Sequence, residues 1–180
     1  MNKLLGIVAV VVIVIFMVMT AAGPGSRVGN GWQYLTTGST TLQSGQPQVQ
    51  AAGATDYHAL ARQDAIDNHI DPDLFERQIA AESAFNPNAQ SVMGARGIAQ
   101  IMPATAAGWH VNAWDPTASL SAAAKAMAWY QNKYGSFEKA LACYNAGTSS
   151  LDTAMAQYGA DWKIGLPAET QTYIKSIMRY

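Results

Sequence analysis

The sequence is short of cysteine, of charge and of basic clusters, and each shortage argues against a class of protein. A single cysteine, Cys143, has no partner for an internal disulfide, so the core must hold by packing alone in any redox compartment. The 11 Lys and Arg residues are scattered and balanced by 12 Asp and Glu, for a net charge of -1. No basic stripe is present to neutralise phosphates, so nucleic acid is not an expected partner. The 3 histidines show no metal-ligand spacing, and neither a metal nor a cofactor is expected. No internal repeat is visible, and 180 residues suit one modest domain plus an appendage.

What is present begins with an apolar run. After Lys3, the stretch Leu4 to Ala22 carries no charge. As a helix it would be roughly 28 Å long, close to the ~30 Å hydrocarbon core of a bilayer. Residues 1–22 therefore read as a transmembrane signal-anchor, with residues 4–22 in the membrane. The alternative is a cleaved signal peptide, with Thr20, Ala21 and Ala22 as the small residues at its exit. Lys3 and the amino terminus outweigh the single downstream Arg27, which points to an inside amino end and an exported remainder. Residues 23–55 turn to Gly, Ser, Thr and Gln and read as a flexible linker with a root-mean-square reach of roughly 30 Å. Trp32 and Tyr34 interrupt it as an aromatic pair suited to a membrane interface.

Residues 56–180 read as short helices joined by signposted turns. Asp71-Pro72 and Asp115-Pro116 each place an N-cap before a first-turn proline, and Gly135, Gly147 and Gly159 fall where helices should stop. Leu120, Ala123, Ala124, Met127, Tyr130 and Tyr134 keep the three-to-four spacing of a buried stripe. Ala140, Leu141 and Tyr144 do the same, as do Tyr173, Ile174 and Ile177. Strand signals are weak. The expected fold is mainly α, with an irregular insert from Asn86 to Gly97.

One residue breaks the pattern. Phe75, Ile79 and Glu82 share one helical face, which puts a carboxylate among apolar side chains. Loss of water around the charge and the negative end of the helix dipole, with Asn86-Pro87 closing the helix, both favour the protonated form. A glutamate raised from about 4.3 to about 6 is a general acid still loaded near neutral pH. The plainer alternative is a helix-edge glutamate whose head reaches solvent or an arginine.

From Glu82 to Ala106 the chain reads E-S-A-F-N-P-N-A-Q-S-V-M-G-A-R-G-I-A-Q-I-M-P-A-T-A. This resembles the signature of the soluble lytic transglycosylase family, whose domain has a goose-type-lysozyme-like helical fold. Ala140 to Gly147 (A-L-A-C-Y-N-A-G) and Leu166 to Tyr173 (L-P-A-E-T-Q-T-Y) are similar to the family too. The resemblance covers about Ile66 to Met178 and implies an enzyme that acts on peptidoglycan glycan strands. It makes Glu82 the acid that protonates the glycosidic oxygen and then the base for the substrate's own 6-hydroxyl, leaving 1,6-anhydromuramic ends. It places Ser91 and Gln100 on the groove, Met102 and Thr105 along it, Tyr144 and Asn145 at its floor, and Tyr130 and Glu169 as further polar groups. Read without the resemblance, Ser91 is a turn residue before Gly94, Asn145 a helix-end residue before Gly147, and Glu169 a first-turn acid. The location implied is the inner membrane, single-pass, with the domain on the periplasmic side, or a virion or its membrane if the chain is phage-encoded. A larger envelope, secretion or virion assembly is a fitting partner. The tryptophans Trp109, Trp114, Trp129 and Trp162 are assigned to packing.

Three rival readings remain: a lysozyme-type muramidase hydrolysing the same bond, a non-catalytic glycan-binding module, and a peptidase using Cys143 with His58, His69 or His110. The last is opposed by the dipole, because Cys143 lies in the last helical turn before Gly147, where a thiolate is disfavoured.

Overall fold

The computed structural model describes residues 55–180. The apolar run 4–22 and the linker, apart from Thr55, lie outside the described residues. Among the described residues, no helix is long and apolar enough to cross a membrane.

Seven α-helices carry this part of the chain: α1 (Tyr57–Asp67), α2 (Pro72–Ser83), α3 (Pro103–Trp109), α4 (Pro116–Tyr134), α5 (Phe137–Ala146), α6 (Thr148–Tyr158) and α7 (Ala168–Met178). A 3-10 segment, Gly159–Gly165, links α6 to α7. The helix starts follow from local chemistry. The Asp71 carboxylate accepts from the backbone N–H groups of Asp73 and Leu74, and Asp115 accepts from Ala118, each ahead of a first-position proline. Such caps each contribute about 1 kcal/mol. Asp56 and Ser136 cap α1 and α5 in the same way. The helix stops come at Gly135, which takes a left-handed φ of 81° after α4, and at Gly147 and Gly159.

The core gathers around α5, which packs on α4, α6 and α7, while α2 packs on α1 and α7. Phe137, Ala140, Leu141, Ala142 and Cys143 of α5 are all buried. Its alanines have little side chain to order, so neighbours approach closely at small entropic cost. Leu120, Met127, Phe75, Ile79, Ile174 and Ile177 close in from the surrounding helices, each essentially without exposure. Each such side chain gains about 1.5 to 3 kcal/mol from leaving water. Tyr130 and Tyr134, at the end of the α4 stripe, are only half-buried.

Between α2 and α3 the chain is irregular, as expected, and runs on to Met102. Two isolated antiparallel bridges, Gln90 with Arg96 and Arg96 with Ile101, fold it back on itself. The end of α2 differs from the expectation. The helix stops at Ser83, not at Asn86-Pro87, because Ala84 and Phe85 both turn left-handed, with φ of 51° and 61°. The Ser83 hydroxyl donates to the Ile98 carbonyl at 2.6 Å, drawing the chain into the loop before the proline acts.

Candidate active site

Glu82 is the penultimate residue of α2, one turn beyond the buried Ile79. It keeps a partly exposed edge toward a cleft and is otherwise enclosed by protein. Tyr173 of α7 donates its hydroxyl to Glu82 Oε1 at 2.6 Å. Burial pushes the Glu82 carboxyl up to about 7, and the Tyr173 hydrogen bond, which favours the carboxylate, opposes that rise. Desolvation is the larger effect. Tyr144 and Tyr173 are raised well above the ordinary tyrosine range, first by burial and then by the Glu82 charge. Both phenols therefore stay protonated as donors, Tyr144 to the Ala99 carbonyl at 2.7 Å.

The cleft encloses about 360 Å³. Gln100 and Met102 from the loop, Thr105 from α3, Tyr130 from α4, and Tyr144 and Asn145 from α5 line it together with Glu82. Gln100 takes a left-handed φ of 49°, and its amide nitrogen donates to the Ala89 and Gly97 carbonyls at 3.2 and 2.9 Å. The side chain thus has its carbonyl oxygen left to offer a ligand. Asn145 accepts from the Thr170 hydroxyl at 2.7 Å, which leaves its amide nitrogen as a donor.

Two sequence-selected residues are not among those lining the cleft. Ser91 is not among the lining residues; its hydroxyl accepts from the Ala95 N–H at 3.0 Å, the behaviour of the turn residue that its place before Gly94 suggests. Glu169 lies in the first turn of α7, also outside the lining. Among the described residues lining the cleft, Glu82 is the only carboxylate.

Two residues missed in the sequence join the site. Tyr173 was legible only as part of a buried stripe at the end of a matching segment. Trp109 was assigned to packing, yet it lines the cleft with its ring 6.4 Å from that of Tyr144. Cys143 lines the cleft as well, but burial pushes its thiol up to about 11. No histidine is among the lining residues, and His58 is committed to Glu76 at 2.8 Å. A thiol–imidazole nucleophile is not assembled here.

The loop wall is pinned at Gly97. Its N–H donates to the Ala89 carbonyl at 2.8 Å, its carbonyl accepts from the Gln100 side chain, and its φ is 71°. A Cβ at this position would run into the Ala113 carbonyl on the segment leading to α4. Only glycine fits.

Chemically, the arrangement offers one proton donor loaded near neutrality, a short phenolic hydrogen bond that holds it, and amide, hydroxyl and aromatic groups around a groove. A family model described as the transglycosylase SLT domain matches residues 59–164. A transglycosylase of Enterobacteria phage PRD1 is 33% identical over 112 residues, 62% of this chain and 37% of that protein. The 70 kDa soluble lytic transglycosylase of Escherichia coli aligns in structure with a TM-score of 0.61 at 23% identity, over 68% of this chain and 23% of that one. An inactive mutant of lytic transglycosylase Slt from Pseudomonas aeruginosa gives a TM-score of 0.60 at 19% identity, over 68% of this chain and 23% of that one. The chain thus spans about a third of the phage relative's length (37%) and about a quarter (23%) of each solved structure. At these identities the structural matches speak for the fold, which is mainly helical and lysozyme-like.

Proposed function

The chain belongs to the transglycosylase SLT domain family, and from that membership we propose that it cleaves the β-1,4 bond between N-acetylmuramic acid and N-acetylglucosamine in peptidoglycan. The single observation that carries the reading is Glu82: the only carboxylate among the described residues lining the cleft, pushed up to about 7. In the first step Glu82 gives its proton to the glycosidic oxygen as the bond to the muramic C1 breaks. The muramic N-acetyl carbonyl stabilises the positive carbon. The muramic 6-hydroxyl then attacks C1, its proton passes to the Glu82 carboxylate, and the acid is restored. The product is a 1,6-anhydromuramic end, and no water is consumed. Gln100, Asn145, Thr105, Met102, Tyr130 and Tyr144 hold the sugar rings in this reading. Tyr173 positions the acid.

Hydrolysis would instead need a second carboxylate to activate water or attack the sugar, about 5 to 9.5 Å from the first. Digestion of peptidoglycan in heavy-oxygen water, followed by mass spectrometry, separates the two. Unlabelled anhydro ends are expected. Labelled reducing ends would make the protein a lysozyme-type muramidase and return attention to Glu169.

The proposal extends to the whole chain: residues 4–22 anchor it in a membrane, residues 23–55 form the tether, and residues 56–180 work on the wall side. Amino-terminal sequencing of the mature protein tests this, since a start near Ala22 or Gly23 would show cleavage and remove the anchor. A relative from a phage supports the phage-encoded alternative, for which the proposed location is the virion or its membrane.

A further inference from the structure

Trp109 and Tyr130 each line two cavities, the cleft that holds Glu82 and a second groove between the end of α3 and α4. The second is the larger, about 700 Å³ against about 360 Å³, and it falls within the ~300–1,000 Å³ range of ligand pockets. Ala122 and Ala126, one turn apart on α4, give it small side chains that leave room. Lys125 and Trp129, also four residues apart, add a cation and an indole on a neighbouring face of the same helix.

Trp129 is the unexpected residue. It is 56% exposed, in a domain that buries Trp162 down to 7%. Tyr130 meets its ring edge-on at 5.3 Å and Lys133 stands 5.2 Å from it, so the indole is held in place yet left uncovered. Among the described residues, Lys125 makes no ion pair, although Asp64 feels its charge. An exposed ring beside an unpaired ammonium suits a ligand with a flat apolar face and an anionic substituent. A pyranose presents such a C–H face, and an acidic amino sugar supplies the carboxylate.

We propose that this groove is a distal glycan subsite, which holds rings of the same strand beyond those at Glu82, with Trp129 as the stacking surface and Lys125 as the partner of a carboxylate on the strand. The inference rests on the peptidoglycan reading and deepens it. Proximity decides the occupant: the two cavities share Trp109 and Tyr130 as lining residues, so the groove lies next to the cleft, within reach of a strand held at Glu82. The cleft alone then accommodates a short fragment, and the groove confers a preference for long strands.

The test uses the full chain carrying Glu82→Gln, so that ligand binds without being cut, titrated calorimetrically with a muramyl disaccharide and a muramyl octasaccharide. The octasaccharide should bind at least about tenfold more tightly, equivalent to about 1.4 kcal/mol. Adding Trp129→Ala should abolish that advantage and leave disaccharide affinity unchanged, and Trp129→Phe should restore most of it. Lys125→Gln should weaken the octasaccharide alone, by a few fold. Equal affinity for the two ligands, equal weakening of both, or no response to Trp129→Ala would overturn the subsite. Failure of the unmutated chain to cut the octasaccharide would defeat the peptidoglycan reading instead, and the binding comparison would still report on the groove.

Discussion

Helix α2 carries two glutamates whose surroundings drive them in opposite directions. Glu76 lies near the surface, where it accepts from His58 and from Arg62 at 2.8 Å each, and those partners hold its carboxyl below the ordinary range. Glu82, less than two turns further on, has no cation partner among the described residues, and burial lifts it to about 7. Residue type and helix are the same. The difference shows that reactivity here is made by the withdrawal of water and of counter-charge, not by the carboxylate itself.

The sharpest way to break the comparison is to neutralise each acid in turn. Glu82→Gln should lower turnover on purified cell walls by at least ~100-fold, since the amide keeps the shape and loses the transferable proton. Glu76→Gln should stay within about twofold of the unmutated chain. Clearing of a wall suspension reads both, and comparable losses from the two would remove the distinction.

Stability against pH should sharpen it further. The folded chain holds the Glu82 proton more tightly than the unfolded chain does, so native stability falls as pH rises from about 4.5 to about 7. Glu82→Gln should abolish that loss and unfold at higher urea than the unmutated chain at pH 8, by about 1 to 3 kcal/mol, with little difference at pH 4. Glu76 has the opposite sign: its contribution is present above its unfolded pKa and is lost as pH falls through its depressed folded value. Parallel slopes for the two variants would contradict the assignment of environments.

A smaller loss than that of Glu82→Gln is expected of Tyr173→Phe, which deletes the Tyr173 hydrogen bond that favours the Glu82 carboxylate. Removing it raises the Glu82 pKa further, so the alkaline limb of the kcat/KM profile should move to higher pH. Activity on the plateau should fall only several-fold, in keeping with about 1 kcal/mol for a hydrogen bond. A limb that stays put or moves to lower pH would exclude Tyr173 as the group that tunes the acid.

How far the sequence could be read depends on the range of the forces involved. The Asp71-Pro72 and Asp115-Pro116 caps and the stop at Gly135 depend on a few adjacent residues, and they appear where they were expected. The placement of Glu82 beside Phe75 and Ile79 followed from helical period alone. Its partner did not, because Tyr173 reaches it only when α7 packs against α2, 91 residues along the chain. The early end of α2 was hidden too. Ala84 and Phe85 adopt left-handed backbone without the glycine or asparagine that usually announces it, held by a loop contact from Ser83 to Ile98. Trp109 illustrates a third kind of gap, since an indole in the core and one on a cleft wall look alike in a one-dimensional pattern.

Gly97 has a consequence for how substrate is captured. With its N–H and carbonyl both engaged and the Ala113 carbonyl where a side chain would stand, the loop wall and the segment before α4 are keyed together at one point. The conformational entropy of that wall is surrendered during folding and is not charged again when a strand arrives. In the reaction proposed above, this side of the cleft therefore serves as a fixed wall rather than as a closing lid. Since hydrogen is the only side chain the junction admits, any larger residue at position 97 would have to push the two segments apart.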